Sequence, residues 1–305
     1  DKTGTLTRGE PVVEVLELLE GHTQEEVLSW ANALEARSTH PLARAIVAHA
    51  DSLGIGPARS AEVRELPGLG AEGTIDGRRA WIGGHRLVHQ LDVESPAAHE
   101  VIAALEARGL TAVALGTDKH VCGVLGIADA IRPEARGIVD QLHDSGIEHV
   151  VMLTGDHQVA AERVAAATGV DDVRAGLLPQ DKVQAIEQLS HTYGPTAMVG
   201  DGVNDAPALA VAEVGVAMGA AGSDVAIETA DIALMSDDLA RVPWLISHAK
   251  RTLRIIRQNV ALALGAKAAV LVLAVLGVAS LWMAIAADMG ASLVVIANAL
   301  RLLRT

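Results

Sequence analysis

Two long apolar runs near the carboxyl end limit the folds that this chain can adopt. Residues 260–279 carry Lys267 as their only charge, and residues 281–300 carry Asp288 as theirs. A run of about 20 residues is long enough for a helix to cross a hydrocarbon core of about 30 Å, and a buried hairpin in a soluble protein is the alternative. We therefore predict a transmembrane helical hairpin over residues 246–305, with helices at about 259–278 and 281–300.

Positive charges flank the predicted hairpin on its outer sides. Arg251, Arg254 and Arg257 precede the first run, Arg301 and Arg304 follow the second, and the connection at 277–281 carries no charge. Because cytoplasmic flanks of membrane helices are rich in arginine and lysine, both ends of the hairpin are expected to face the cytoplasm.

Lys267 and Asp288 lie at equal sequence distances from the predicted turn at residues 277–278. About ten residues at about 1.5 Å per residue put both near the middle of the bilayer. An acid and a base at one depth should pair, and such pairs often mark an ion pathway. A salt bridge that only fixes the helix register is the alternative.

The first seven residues, DKTGTLT, combine a carboxylate with groups that bind phosphate or offset its charge. Asp1 is a candidate nucleophile toward a phosphoryl group, provided that nearby groups neutralise the charge that gathers there. Lys2, the hydroxyls of Thr3 and Thr5 and the backbone of Gly4 are groups of this kind. A polar turn is the alternative, because Gly, Thr and Asp are common in loops.

Residues from about 124 to 245 alternate between apolar strands and helices, which predicts a doubly wound parallel sheet with its chemistry at the strands' carboxyl ends. Thr154-Gly155-Asp156 follows one strand, Asp201-Gly202-Val203-Asn204-Asp205 follows another, and Lys182 lies near a helix start. Carboxylates, a hydroxyl and a lysine at one sheet edge can hold Mg²⁺ and a phosphoryl group. Taken singly, these motifs are also typical of caps and turns.

Residues 20–123 lack this alternation and are predicted to form an α+β region with helices at about 24–36 and 41–52. Thr23 is a typical N-cap for the first helix, and Pro41 suits the first turn of the second.

A GxGxxG pattern at Gly68, Gly70 and Gly73 is not a dinucleotide-binding turn, because a strand, a turn at Asp76-Gly77 and another strand follow it where that motif needs a helix. These glycines are instead expected to let an adenine ring approach a small sheet.

Composition narrows the classes of partner. The net charge of −14, from 24 basic and 38 acidic residues, argues against a nucleic-acid partner. The single cysteine, Cys122, excludes an internal disulfide or a Cys–Cys metal pair, and we expect it to pack as a small apolar side chain.

The motifs together resemble the carboxyl-terminal part of a P-type ATPase, whose phosphorylation domain is similar to haloacid dehalogenase enzymes. The resemblance implies that ATP phosphorylates Asp1 and that Asp1, the Thr3 carbonyl and Asp201 hold Mg²⁺. It places these further residues in the catalytic site: Lys2, Thr154, Gly155, Asp156, Lys182, Asn204 and Asp205. It implies a phosphorylation domain at 1–19 and 124–245 and an inserted nucleotide-binding domain at 20–123.

The middle region is similar to the ATP-binding signature of the heavy-metal branch of this family. Glu35, His40, Gly68 and Gly70 match residues that contact adenine and ribose there. Gly84 stands where many members carry an asparagine, so one contact to ATP is expected to be absent.

Residues of the hairpin indicate which ion is transported. A lysine in the penultimate helix and Asp-x-Gly in the last, here Lys267 and Asp288-Met289-Gly290, resemble the Zn²⁺/Cd²⁺-type pumps, and a carboxylate suits a borderline divalent ion better than Cu⁺. We therefore expect ATP-driven export of Zn²⁺ or Cd²⁺, with Pb²⁺ or Co²⁺ as further candidates. The alternative, a soluble haloacid dehalogenase-type phosphatase, calls for an Asp where this chain has Thr3.

The chain shows no TGE actuator motif and no Cys-Pro-Cys helix, which family members need for transport. We therefore expect a fragment of a multi-pass plasma-membrane protein with cytoplasmic catalytic domains. Its missing amino-terminal part, with the actuator domain and earlier helices, is an expected partner.

Overall fold

The computed structural model describes residues 1–19, 21–91, 93, 95–201, 205–219 and 224–303. Two compact units make up the chain, Asp1–Leu239 and Ala240–Thr305. Asn204, which the sequence places in the catalytic site, lies outside the described residues.

The strands are β1 (Thr7–Leu18), β2 (Ser60–Leu66), β3 (Gly70–Ile75), β4 (Arg78–Gly83), β5 (Thr111–Thr117), β6 (Val121–Ile131), β7 (Val151–Leu153), β8 (Asp172–Arg174), β9 (Ala197–Gly200), β10 (Val214–Ala217) and β11 (Ile232–Ala233). The helices are α1 (Gln24–Glu35), α2 (Pro41–Ser52), α3 (His85–Leu91), α4 (Pro96–Ala107), α5 (Ala135–Asp144), α6 (Gln158–Thr168), α7 (Pro179–Tyr193), α8 (Ala206–Val211), α9 (Asp224–Thr229), α10 (Arg241–Val275) and α11 (Leu281–Ala299).

A six-stranded antiparallel sheet, in the order β1-β6-β5-β4-β3-β2, carries helices on both faces. One face packs on α1 and α2, with Leu34, Ile46 and Ile82 in its core. The other packs on α3 and α4, where Trp81 and Ile102 are buried. Successive residues of a strand point to opposite faces, so a sheet covered on both sides needs strands that are apolar at nearly every position.

The alternation of strands and helices that predicts the parallel sheet was expected to begin at about residue 124, and that start is wrong. Residue 124 lies in β6, which pairs antiparallel with β1 and β5. Its continuous apolar run reflects burial on two faces and does not require a parallel sheet. Residue 124, the expected start of the second part of the phosphorylation domain, lies within β6; the division into these domains stays a proposal.

The parallel strands form two groups, β11-β10-β9 and β7-β8. Leu153 in β7, Met198 in β9 and Ala217 in β10 share a core with residues of α7 and α8. The predicted strands before the TGD and GDGVND motifs are therefore confirmed, and the two motifs begin where β7 and β9 end.

The predicted helix starts and turn within residues 20–123 are also confirmed. Thr23 caps α1 by accepting a hydrogen bond from the Glu26 amide, and Pro41 opens α2. Asp76 and Gly77 both have positive φ, +48° and +81°, in the two-residue turn between β3 and β4. The rejection of a dinucleotide-binding turn is confirmed, because Gly70 begins a strand.

The second unit is a helical hairpin. Gly277, with φ of +72°, follows the end of α10, and the Ser280 hydroxyl accepts a hydrogen bond from the Met283 amide at the start of α11. The first helix begins at Arg241, well before the predicted residue 259, because nothing in the arginine-rich segment interrupts it. Arg241–Val275 and Leu281–Leu303 are long and apolar enough to cross a membrane, and none of the most apolar window of either is buried in the protein. The reading as a buried soluble hairpin is therefore not supported.

Candidate active site

Asp1 lies beside the end of β9. Its backbone nitrogen donates a hydrogen bond to the carbonyl oxygen of Val199 at 2.8 Å. Its side chain accepts one at Oδ1 from Nζ of Lys182, at 2.6 Å. Lys182 lies in the first turns of α7 and is 8% exposed, so this ion pair is largely shielded from water. The predicted proximity of the two residues is present.

Lys182 also binds a second carboxylate. Its Nζ donates to Oδ1 of Asp205 at 2.6 Å, and Asp205 is 1% exposed at the start of α8. The other oxygen, Oδ2, is buried and has no hydrogen-bond partner among the described residues. Gly200 makes room for this carboxylate, because a Cβ there would lie 2.5 Å from Oδ2. One ammonium between two buried carboxylates leaves the site negative, which favours a bound cation.

Asp201 lies against the segment Lys2–Leu6, an irregular turn in which Gly4 has φ of +73°. A Cβ on Gly4 would be 3.3 Å from Cβ of Asp201, so only glycine gives this close approach without strain. The residues that the sequence predicts to hold Mg²⁺, namely Asp1, Asp201 and the Thr3 carbonyl, would offer it oxygen ligands only. Oxygen ligands fit Mg²⁺ and suit soft metals poorly.

The TGD loop after β7 is held by its own hydrogen bonds. The Thr154 hydroxyl accepts a hydrogen bond from the Asp156 amide at 3.1 Å. The backbone carbonyl of Thr154 accepts one from the Leu177 amide at 3.0 Å. Gly155 is close-packed, since a Cβ there would be 3.2 Å from the Leu177 carbonyl oxygen. The carboxylate of Asp156 forms an ion pair with Lys2 at 2.5 Å, so Lys2 binds this loop.

Three residues missed by the sequence analysis brace the DKTGTLT segment. Arg132, 5% exposed after β6, donates to the carbonyls of Thr5 at 2.9 Å and Gly4 at 3.2 Å. The same guanidinium binds Asp237 at 2.6 Å. Asp129 in β6 accepts a hydrogen bond from the Thr7 hydroxyl at 2.5 Å. The sequence signal was a pair of charged residues at the end of a buried strand, Asp129 within it and Arg132 just after it.

Glu35 ends α1 in a partly buried position. Burial, followed by the charge of Glu65, raises the pKa of the Glu35 carboxyl to about 7. A carboxyl with such a pKa can act as hydrogen-bond donor or acceptor near neutral pH. A perturbed carboxyl of this kind is a functional-site candidate.

His40 and the glycines have structural roles of their own. His40 caps α2, its Nδ1 accepting a hydrogen bond from the Leu42 amide at 3.2 Å. Only glycine fits at position 70, because a Cβ there would lie 2.0 Å from the Ile82 carbonyl oxygen. Gly68 has φ of +71°, and a Cβ there would meet open space. Of the two, Gly68 is the one whose backbone is accessible to a ligand.

In the hairpin, Nζ of Lys267 lies 3.9 Å from Oδ1 of Asp288. The predicted pairing of these two side chains is therefore present. Small side chains, including Ala284, Ala287 and Ala291, leave a cleft between the helices around it.

The family model for haloacid dehalogenase-like hydrolases matches residues 1–213. The cadmium-transporting ATPase of Staphylococcus aureus is 44% identical over 310 residues, which cover 100% of this chain and 42% of that protein. The zinc/cadmium/lead-transporting P-type ATPase of Escherichia coli (strain K12) is 42% identical over 307 residues, covering 100% of this chain and 40% of that protein.

A crystal structure of a zinc-transporting PIB-type ATPase in the E2.Pi state superposes with a TM-score of 0.92 at 41% identity, covering 99% of this chain and 49% of that one. The chain spans about two fifths of the length of the two curated relatives, 42% and 40%. It belongs to the haloacid dehalogenase-like hydrolases, and over its whole length it is similar to these metal-transporting P-type ATPases.

Proposed function

We propose that this chain carries the phosphorylation site of an ATP-driven pump that exports a divalent heavy metal ion. In the first step Asp1 attacks the γ-phosphorus of ATP, the bond to the β–γ bridging oxygen breaks, and ADP leaves. Water then hydrolyses the aspartyl phosphate and releases inorganic phosphate. The observation that carries this proposal is the ion pair between Lys182 and Asp1, at 2.6 Å in a site that is largely closed to water.

In this proposal Lys182 would offset the negative charge that gathers during phosphoryl transfer. Thr154 is proposed to bind a second phosphoryl oxygen. Asp1, the Thr3 carbonyl and Asp201 would hold Mg²⁺, which supplies charge neutralisation when bound. Asp205 would orient Lys182, and Asn204 is proposed to support the same loop.

Thr3 bears on the second half of the cycle. Phosphatases with this kind of site carry an aspartate there as the general acid and base, and threonine cannot carry that proton. The aspartyl phosphate is therefore expected to be long-lived, as a pump needs and a phosphatase does not. The phosphatase alternative is also not favoured by the two apolar helices or by the named relatives.

ATP is proposed to bind in the region of residues 20–123, with Glu35, His40, Gly68 and Gly70 as its contacts. The raised pKa of Glu35 and the open backbone of Gly68 support this assignment. For His40, the Nδ1 used in capping leaves Nε2 as the nitrogen for a nucleotide.

Asp288, paired with Lys267, is proposed to bind Zn²⁺ or Cd²⁺, with Pb²⁺ or Co²⁺ as further candidates. The apolar surfaces of α10 and α11 would lie in a plasma membrane, with the catalytic unit in the cytoplasm. Because the chain matches about two fifths of the curated relatives' length, the complete pump is proposed to need further segments, including an actuator domain and earlier helices.

The intact gene product tests this proposal through acid-stable phosphoprotein formed from γ-labelled ATP. Wild type should be labelled and should lose the label to hydroxylamine, whereas Asp1→Asn should give none. Label that persists in Asp1→Asn would refute Asp1 as nucleophile. Zn²⁺ or Cd²⁺ should stimulate ATP hydrolysis, and Asp288→Ala should abolish that stimulation; unchanged metal dependence would remove Asp288 from the transport site.

A further inference from the structure

Three metal-ligating side chains that the proposed reaction does not use meet where β1 ends and β6 begins. His22 lies between β1 and α1, His120 between β5 and β6, and Cys122 within β6. One ligand atom of each lies within 4.8 Å of the others. We propose that these three residues form a binding site for a thiophilic divalent cation, Zn²⁺ or Cd²⁺.

The two histidines already point ring nitrogens at one another. Nε2 of His22 and Nε2 of His120 are 2.9 Å apart, although 98 positions separate the residues. Nδ1 of His22 lies 2.9 Å from a carboxylate oxygen of Glu26. Because an ionised carboxylate only accepts hydrogen bonds, Nδ1 carries the hydrogen and Nε2 of His22 presents its lone pair.

A cation would replace the hydrogen bond between the histidines. The hydrogen of His120 moves from Nε2 to Nδ1, so that both Nε2 lone pairs face the ion. The thiol of Cys122 loses its proton to solvent, and the thiolate completes three ligands, with one proton released for each ion bound. Glu26 then has the place of the carboxylate that commonly orients a metal-bound histidine.

The backbone around the cluster is held by hydrogen bonds. The Leu19 amide donates to the Cys122 carbonyl at 3.0 Å, and the His22 amide donates to the Leu19 carbonyl at 3.3 Å. The Thr117 amide donates to the His120 carbonyl at 2.9 Å. Cys122 is fully buried, whereas the His22 side chain is 14% exposed and leaves a path to solvent.

The donor set selects the class of ion. Two imidazoles and a thiolate suit Zn²⁺ and Cd²⁺, whereas Mg²⁺ and Ca²⁺ prefer oxygen ligands. Three protein ligands leave the fourth tetrahedral position for water. The competing explanation is a hydrogen-bonded histidine pair next to a cysteine that only packs, as the sequence analysis expected for Cys122.

A Cd²⁺ titration of the full chain in detergent micelles distinguishes the two, followed by the ultraviolet charge-transfer absorption between thiolate and cadmium. Cys122 is the only cysteine of the 305 residues, so the band reports this sulfur alone and not Asp288. Wild type should show a saturable band with one ion per chain, displaced by Zn²⁺ and not by Mg²⁺.

Four variants and one control complete the test. Cys122→Ser should lose the band, and His22→Ala and His120→Ala should each weaken binding more than about tenfold. Glu26→Gln should weaken it by about tenfold or more while leaving all three ligands in place, and remains informative if a buried substitution disturbs folding. His89→Ala removes a ring that stacks on His85 outside the cluster and should leave cadmium binding unchanged. Absence of a band in wild type, or an unchanged midpoint in both histidine variants, would overturn the proposal.

Discussion

Lys182 donates a hydrogen bond to Asp1 at 2.6 Å across 181 positions of sequence. The side chains are only 10% and 6% exposed, so the ammonium is fixed beside the carboxylate before any nucleotide binds. A charge that is already in position needs no reorganisation when negative charge develops on a transferred phosphoryl group. The same ammonium holds Asp205, and the pairing therefore links the starts of α7 and α8 to the DKTGTLT segment.

Replacing Lys182 by methionine should remove phosphoenzyme and lower stability. Asp1 and Asp205 would then be two shielded carboxylates without their cation, which costs about 3 kcal/mol or more in the free energy of unfolding. Labelling with γ-labelled ATP and urea unfolding measure the two effects. Lys119→Met, at an exposed position, is the control and should match wild type in both. Normal labelling in Lys182→Met would contradict the assigned role.

Gly200→Ala should disturb the site without touching a charged residue. The new Cβ would lie 2.5 Å from Oδ2 and 3.0 Å from Cβ of Asp205, so that carboxylate must move away from Lys182. We expect phosphoenzyme to fall by about tenfold or more and stability to fall by about 1–3 kcal/mol.

Gly137→Ala is the matched control for this glycine. A Cβ at Gly137, in the exposed interior of α5, meets nothing within 4 Å. It should raise stability by about 0.5–1 kcal/mol and leave phosphoenzyme unchanged. If the two variants had equal phosphoenzyme levels and equal stability, the close packing at Gly200 would not be needed for the site.

Local patterns predicted much of this structure. The capping signals placed α1 and α2 to within a residue or so, and the turn at Asp76-Gly77 followed from residues that tolerate positive φ. The pairing of Lys267 with Asp288 was predicted from helix rise and a turn position, and the two side chains lie 3.9 Å apart. The caps and turns were predictable because each depends on neighbours in sequence, and the Lys267–Asp288 pair was predictable because a single turn joins its two helices.

The contacts that sequence reasoning missed join distant segments that share no motif. Arg132 meets the Gly4 carbonyl 128 positions away, and nothing in the pattern around Arg132 specifies that partner. The apolar run of β6 indicated burial correctly but left open whether its neighbours run parallel or antiparallel. His22 and His120 are likewise joined only by the fold.

Glu35 should make stability depend on pH. Its folded-state pKa is raised to about 7 by burial and by Glu65, so between the ordinary value of 4.5 and about 7 the folded protein holds a proton that the unfolded chain has released. Stability should therefore fall as pH rises through this window. Glu35→Gln should remove this dependence, gaining about 1–2 kcal/mol over wild type above about pH 7 after allowance for solvent exposure.

Midpoints of urea unfolding, measured from about pH 5 to about pH 8 for wild type and Glu35→Gln, test this pH dependence of stability. Glu100→Gln, on the exposed side of α4, is the control and should retain the wild-type pH dependence. A wild-type slope that survives in Glu35→Gln would assign the effect to another group.

Arg132→Ala should loosen the DKTGTLT segment without removing a catalytic group. The guanidinium is the donor for the carbonyls of Gly4 and Thr5 and also binds Asp237, and hydrogen bonds from a charged donor contribute about 1.5–3 kcal/mol each. We expect a stability loss of about 2–4 kcal/mol and a lower level of phosphoenzyme, because Gly4 would no longer be held against Asp201.

Arg132→Lys keeps the charge but loses the planar guanidinium, and should fall between wild type and Arg132→Ala in both measurements. Arg86→Ala removes an exposed arginine from α3 and should behave as wild type; full phosphoenzyme in Arg132→Ala would show that the segment is held without this residue.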